Sequence, residues 1–208
     1  MSKIDYIYSL LGDSCVAIYY GGSRVDPVIA NPHDYDYICF SKRLHYQKAV
    51  QILTKYKFRR SMSQLNKPQE TVTVDGKDFS QIRSFPYTKI TWFSYLDPLM
   101  VKVIGEDVCP KTDIIKEHRQ EFLDCLLKKT QELIDGRIKN QKRWYHILRG
   151  FYILLNNSYD VTPEQRAEIN ILHDLSPGYE KIITKTIKLF EDFKQNNNFN
   201  KEALARAK

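Results

Sequence analysis

Apolar and polar positions along the front of this chain follow two different periods. Ser2 to Leu11 reads as a short amphipathic helix, and the unbroken apolar run from Cys15 to Tyr20 reads as a buried strand. Tyr35 to Phe40 predicts a second strand. From Lys42 to Tyr56, Leu44, Ala49, Val50, Ile52 and Leu53 recur at spacings that suit a helix laid over a sheet. Phe58 to Met62 is a candidate third strand. Glu70 to Val74 and Phe79 to Phe85 flank Asp75-Gly76-Lys77-Asp78, and an Asp-Gly pair between two such runs is a hairpin signal because tight turns favour positive φ there.

Beyond residue 111 the pattern turns helical. Ile114, Ile115, Phe122, Leu123, Leu126, Leu127 and Leu133 predict one amphipathic helix over Asp113 to Ile134, ended or bent at Asp135-Gly136. A further helix is expected over Asn140 to Leu155, with Asn156-Asn157-Ser158 as a turn. Thr162-Pro163-Glu164 has the form of a cap with proline at the first helical position, starting a helix to about Leu175. A last helix is expected from Pro177 to Phe193, with the polar residues 196–208 fraying. The fold class is therefore α+β: a mixed sheet flanked by helices over residues 1–110, a helical unit over 111–195 and a tail.

Within this frame one stretch carries chemistry. Gly21-Gly22-Ser23-Arg24 follows the first strand, and Asp34-Tyr35-Asp36 opens the second. Glycines lack a Cβ, so the chain turns sharply there and its N–H groups can approach a triphosphate, with the Ser23 hydroxyl as a further donor. On an extended strand Asp34 and Asp36 project together, roughly 6.5–7 Å apart at the backbone. Paired carboxylates of this kind are hard oxygen ligands suited to Mg²⁺ beside phosphate oxygens. Either half alone is an ordinary turn or a solvated acid pair; their conjunction points to a phosphate cradle facing a metal site. No Gly-Lys-Ser/Thr and no Gly-x-Gly-x-x-Gly occurs, which argues against P-loop and dinucleotide-binding readings.

Composition narrows the class. The chain has 208 residues and a net charge of +7, with a pI near 9.1. Its basic residues are spread over Lys42-Arg43, Lys55 to Arg60, Lys128-Lys129 and Arg137 to Arg143, which fits a solvated basic surface or a nucleic-acid groove. Cys15, Cys39, Cys109 and Cys125 show no Cys-x-x-Cys spacing and read as buried thiols rather than zinc ligands or disulfides. No signal-peptide pattern and no apolar run of membrane-spanning length occurs, so no membrane partner and a cytoplasmic location are expected.

Gly22-Ser23-Arg24 with Asp34-Tyr35-Asp36 resembles the signature of the DNA polymerase β-like nucleotidyltransferase superfamily. The loop ending His33-Asp34-Tyr35-Asp36 is similar to that of a bacterial and phage branch of predicted nucleotidyltransferases, which would put a phage-encoded chain in the host cytoplasm. Arg143-Trp144-Tyr145-His146-Ile147-Leu148-Arg149, Leu154-Leu155 and Thr162-Pro163-Glu164-Gln165 look like the helical tail of that branch. The resemblance implies transfer of a nucleoside monophosphate from an NTP, with ATP the expected one, to an acceptor hydroxyl. Asp34 and Asp36 would hold Mg²⁺, and Gly21, Gly22, Ser23 and Arg24 the phosphates. The acceptor is left open, a nucleic acid among the candidates.

The resemblance also implies a third carboxylate on a strand beside Asp34-Tyr35-Asp36. The expected strand, Phe79 to Phe85, contains no acid, so the candidates are Asp78 at its start, Asp75 in the turn, and Asp97 before Pro98 and an expected helix carrying Lys102, itself a candidate nucleotide-binding cation. Turn formation and helix capping would equally account for these aspartates. In the tail, Lys142, His146 and Arg149 form one helical stripe that could face a triphosphate or simply be solvated. The alternative function is a catalytically silent binding protein of the same fold, antitoxin-like or nucleic-acid-binding, favoured by the missing acid on the third strand.

Overall fold

The computed structural model describes residues 3–32, 35–55, 58–62, 70–74, 78–85, 90–109 and 113–206, with backbone alone at positions such as Asp36 and Asp78. His33, Asp34 and the Asp75-Gly76-Lys77 turn lie outside the described residues. The chain folds as two compact units. One comprises residues 1–27, 32–89 and 96–111, the other residues 28–31, 90–95 and 112–208.

The first unit is built on a six-stranded mixed sheet. Its strands are β1 (Cys15–Gly21), β2 (Tyr35–Lys42), β3 (Phe58–Met62), β4 (Glu70–Val74), β5 (Asp78–Phe85) and β6 (Val101–Gly105), in the order β3-β4-β5-β2-β1-β6. All neighbours are antiparallel except β2 and β5, which run parallel. The β4–β5 ladder ends with Val74 opposite Asp78. β1 lies inside the sheet and is buried along nearly its whole length, which is why it reads as a continuous apolar run.

Helices α1 (Lys3–Leu11) and α2 (Tyr46–Lys55) cover one face, where Ile7, Leu11, Cys15, Ile18, Cys39 and Ala49 form a core cluster. Ala17, Tyr19, Ile38 and Phe40 form a second cluster, against which Met100, Val108 and Cys109 pack. The irregular register between Cys15 and Ala17 explains why Cys15 joins Ile18 in the first cluster while Ala17 and Tyr19 join the second.

One expectation is corrected here. Lys102 lies on strand β6, not on a helix after Pro98. Pro98 belongs to a 3₁₀ turn over Ser94–Leu99, and Val101 and Val103 then extend the chain along the outer side of β1 with Tyr19 opposite Lys102. β-branched residues at alternating positions suit that edge.

The second unit is helical: α3 (Ile114–Glu117), α4 (Arg119–Ile134), α5 (Arg143–Asn156), α6 (Pro163–Asp174) and α7 (Tyr179–Arg206). The single helix expected over 113–134 is interrupted at His118, whose φ of −134° and ψ of 25° leave helical geometry. Asp113 caps α3 through hydrogen bonds from the N–H groups of Ile115 and Lys116. Thr162 and Gln165 form a complete capping box at α6, with Pro163 at the first turn. α7 continues through residues 196–206, where fraying was expected.

α5 is the centre of this unit, with every residue from Trp144 to Leu154 buried. Gly150 lets α4 approach it, because a β-carbon there would lie 2.6 Å from Leu126 Cδ2 and 3.2 Å from Phe122 Cζ. Segment 28–31 belongs to the same unit: Asn170 of α6 accepts from the Ala30 N–H at 2.7 Å and donates to the Val28 carbonyl at 2.9 Å.

Candidate functional site

β1 ends in the two glycines, and each sits in its own steric setting. At Gly21 a β-carbon would come within 2.9 Å of Ile38 Cδ1 and 3.4 Å of Met100 Cγ and Sδ. Gly22 has φ of +71°, the left-handed region that only glycine enters readily. It opens a 3₁₀ turn over Gly22–Arg24, closed by a hydrogen bond from the Val25 N–H to the Gly22 carbonyl at 3.3 Å. Within that turn Ser23 is buried and Arg24 is half-buried. Asp26, a carboxylate the sequence reading did not single out, is 2% exposed just beyond it.

The ladder sets the acidic positions against this turn. Asp36 is the Cα partner of Gly21 across β1 and β2, and Phe79 is its partner on the other side. Asp78 is the partner of Tyr35, the residue between Asp34 and Asp36. Three strands thus bring the glycine turn, the position of Asp36 and that of Asp78 to one end of the sheet.

Asp97 and Lys102 meet elsewhere in the same unit. Both line a cleft of about 190 Å³, together with Tyr19, Met100, Asp107 and Cys109. Asp97 is only 2% exposed, and its carbonyl accepts from the Met100 N–H at 3.2 Å and the Cys109 thiol at 3.3 Å. Lys102 is exposed.

Tyr19 anchors one wall of that cleft. Its hydroxyl donates to Asp107 Oδ1 at 2.8 Å and accepts from the N–H groups of Val108 and Cys109 at 2.8 and 3.1 Å. Burial holds the phenol above its ordinary pKa, and Asp107 adds to this against the lowering effect of the two N–H groups. No local signal links Tyr19 to a segment so far along the chain, and sequence reading missed it.

Lys142, His146 and Arg149 belong to the helical unit. Lys142 is the half-buried residue before α5, its N–H donating to Asn140 Oδ1 at 3.1 Å. His146 is buried, with Nδ1 2.8 Å from the Tyr95 hydroxyl and its ring packed against Trp92 and Tyr145. Burial above all, with the charge of Arg143 and then of His173, pushes its pKa well below the ordinary value, so it is a neutral imidazole at pH 7. Arg149 is 1% exposed, its guanidinium 5.8 Å from the Tyr95 ring centre. His146 and Arg149 are therefore embedded in the unit rather than solvated, while Lys142 stays half-buried.

No protein-family model matches the sequence. No curated protein sequence matches it either. Among solved structures, spectinomycin adenyltransferase AAD(9) from Enterococcus faecalis, determined with ATP and spectinomycin, is similar over 92% of this chain and 97% of that one, at 13% identity and a TM-score of 0.48. The conserved protein GrpB from Enterococcus faecalis is similar over 89% of this chain and 88% of that one, at 10% identity and a TM-score of 0.35. These likenesses concern the chain trace; the site rests on this chain's own residues. Among the described residues, no helix is long and apolar enough to cross a membrane.

Proposed function

We propose that this chain is a Mg²⁺-dependent nucleotidyltransferase that joins a nucleoside monophosphate from an NTP, ATP in the first instance, to an acceptor hydroxyl. The observation that carries the reading is the pairing of Gly21 with Asp36 directly beside the left-handed Gly22. Two glycines and a carboxylate position share one end of one ladder, which is what a bound polyphosphate with its cation needs.

Among the described residues no group of three or more metal-ligating side chains occurs, and Asp34 lies outside them. The donor set nonetheless fits a hard cation: the position of Asp36 stands beside Gly21 at the end of the ladder, and Asp34 is two residues from it in sequence. Asp34 and Asp36 would hold Mg²⁺, which when bound supplies neutralisation of phosphate charge.

The remaining roles belong to the chain itself. The Gly21-Gly22 main chain and the Ser23 hydroxyl orient the phosphates, and the Arg24 fork neutralises their oxygens. The third carboxylate stays between Asp78 and Asp97: β5 adjoins β2, but the partner of Asp36 there is Phe79, and Asp78 pairs with Tyr35, one position out of step with the acid pair. A bond forms between the acceptor oxygen and the α-phosphorus as the bond to the pyrophosphate oxygen breaks, and the hydroxyl proton passes to a neighbouring carboxylate.

The test is pyrophosphate release from Mg-ATP in the presence of a cell extract as the source of acceptor. The wild type is expected to release it and the Asp34→Ala, Asp36→Ala double variant to lose release with its fold intact by circular dichroism. Unchanged release from the double variant would reject the reading. Metal-independent nucleic-acid binding by a chain that does not bind Mg-ATP would favour the silent alternative instead.

A further inference from the structure

Residues 25–34 join the glycine turn to β2. A free loop of that length has many conformations to lose before its two ends can act together on one ligand. The turn at its start is weakly closed, since the bond from the Val25 N–H to the Gly22 carbonyl is 3.3 Å long. Its geometry therefore depends on what holds the chain that follows.

The middle of the loop is held by α6. The chain leaves the sheet unit after Pro27 and re-enters it at Pro32, and the residues between them belong to the helical unit. There Val28 and Ile29 are buried, and one side chain takes the backbone on both sides of Ile29. Asn170 Oδ1 accepts from the Ala30 N–H at 2.7 Å, and Nδ2 donates to the Val28 carbonyl at 2.9 Å.

The amide has one usable orientation. Nδ2 also donates to the Arg166 carbonyl in the preceding turn of α6, at 2.8 Å, so a flip would set Oδ1 against two carbonyls and Nδ2 against an N–H. Asparagine is a poor helix former. Its place at 170, between the buried Ile169 and Leu172 of a helix fixed by a capping box, is explained by the loop and not by the helix.

The arms that lead away from this clamp are stiff. Val28 stands four residues after Arg24 and Ala30 four before Asp34, and the two arms contain Pro27 and Pro32. Each proline fixes its own φ and restricts the residue before it, here Asp26 and Asn31. A shift at the clamp is passed along the chain toward Ser23 on one side and Asp34 on the other.

We propose that Asn170 is a positioning residue for the phosphate turn, fixing from α6 the loop whose ends carry Ser23 and Asp34. The nucleotidyltransferase reading supplies only what that turn would bind; the clamp stands on the hydrogen bonds of the loop itself.

The test compares amide hydrogen exchange, and calorimetric titration with ATP in the presence and absence of Mg²⁺, for the full-length wild type, Asn170→Asp and Asn170→Ala. Asn170→Asp keeps the shape but turns an oxygen toward the Val28 and Arg166 carbonyls. Asn170→Ala removes the clamp and suits the helix better, so it tests the idea even where Asn170→Asp fails to fold. In the variants the N–H groups of Ser23 to Val25 are expected to exchange about tenfold faster, with those of α5 unchanged, and the strengthening of ATP binding by Mg²⁺ is expected to shrink about tenfold. Faster exchange confined to residues 28–31 overturns the inference, as does an undiminished Mg²⁺ effect in the variants of a wild type that binds Mg-ATP. A wild type that binds no Mg-ATP, but whose turn loosens in the variants, would sink only the catalytic reading. Mg-ATP binding with the turn unmoved in the variants would sink only the present one.

Discussion

The Tyr95 hydroxyl and His146 Nδ1 lie 2.8 Å apart in the interior of the helical unit. Burial of that imidazole gives the fold a directional response to acid. Burial first, and then the positive charge of Arg143 and the neighbouring His173, depress the folded-state pKa of His146, whereas the unfolded chain returns to about 6.5. Above about pH 6.5 the ring is neutral in both states and contributes no pH dependence. Below that, the unfolded state takes up a proton that the folded state resists, so stability falls as pH falls. Thermal melts between neutral and acidic pH should show a steeper decline for the wild type than for His146→Gln.

Gly22 has φ of +71°, and a side chain there costs about 1–2 kcal/mol. Gly22→Ala should lower the urea midpoint accordingly and weaken Mg-ATP binding, measured on the same protein by calorimetry. Gly22→Asn, which tolerates the left-handed region better, should recover part of the stability.

Tyr19→Phe removes one oxygen and leaves the N–H groups of Val108 and Cys109 and the Asp107 carboxylate without it. A loss of about 1–3 kcal/mol in denaturant unfolding is expected, limited by water reaching this partly buried segment. Faster amide exchange confined to residues 106–109 would locate the effect.

Gly150→Ala sets two terms against each other. Alanine improves helix propensity by about 1 kcal/mol, but its β-carbon would lie 2.6 and 2.8 Å from the Leu126 methyls in a packed core, at a cost of about 1–3 kcal/mol. Net destabilisation is expected, and combination with Leu126→Ala should be less harmful than the sum of the two single changes in a double-mutant cycle.

Much of this was legible in the chain because it depends on neighbours in sequence. Cys15 to Tyr20 is apolar without a gap because β1 is covered along its length, and Thr162 with Pro163 and Glu164 announced a cap that needs nothing from afar. The opposition of Gly21 and Asp36 follows once two consecutive strands pair antiparallel, the commoner arrangement for neighbours in sequence. Residues separated in sequence were another matter. That β5 runs parallel to β2, setting Asp78 beside Tyr35, depends on strand order, which no local pattern encodes.

Lys102 was assigned to a helix because five residues with a central lysine make a weak strand signal, and β6 takes its geometry from pairing with β1. His146 and Arg149 resembled an outward stripe because polar residues three apart usually are one. In this unit α5 is surrounded on every side, so polarity there does not report exposure.

The end position of β6 in the sheet order has a practical side. Val101 and Val103 stand open to water at 57% and 45% exposure, separated by the charged Lys102. A lysine between two bare valines on an outermost strand discourages copies from zipping together edge to edge. Replacing it with an uncharged residue would invite aggregation, so any drop in turnover for a Lys102 variant has to be read beside its sedimentation behaviour before phosphate contact is held responsible.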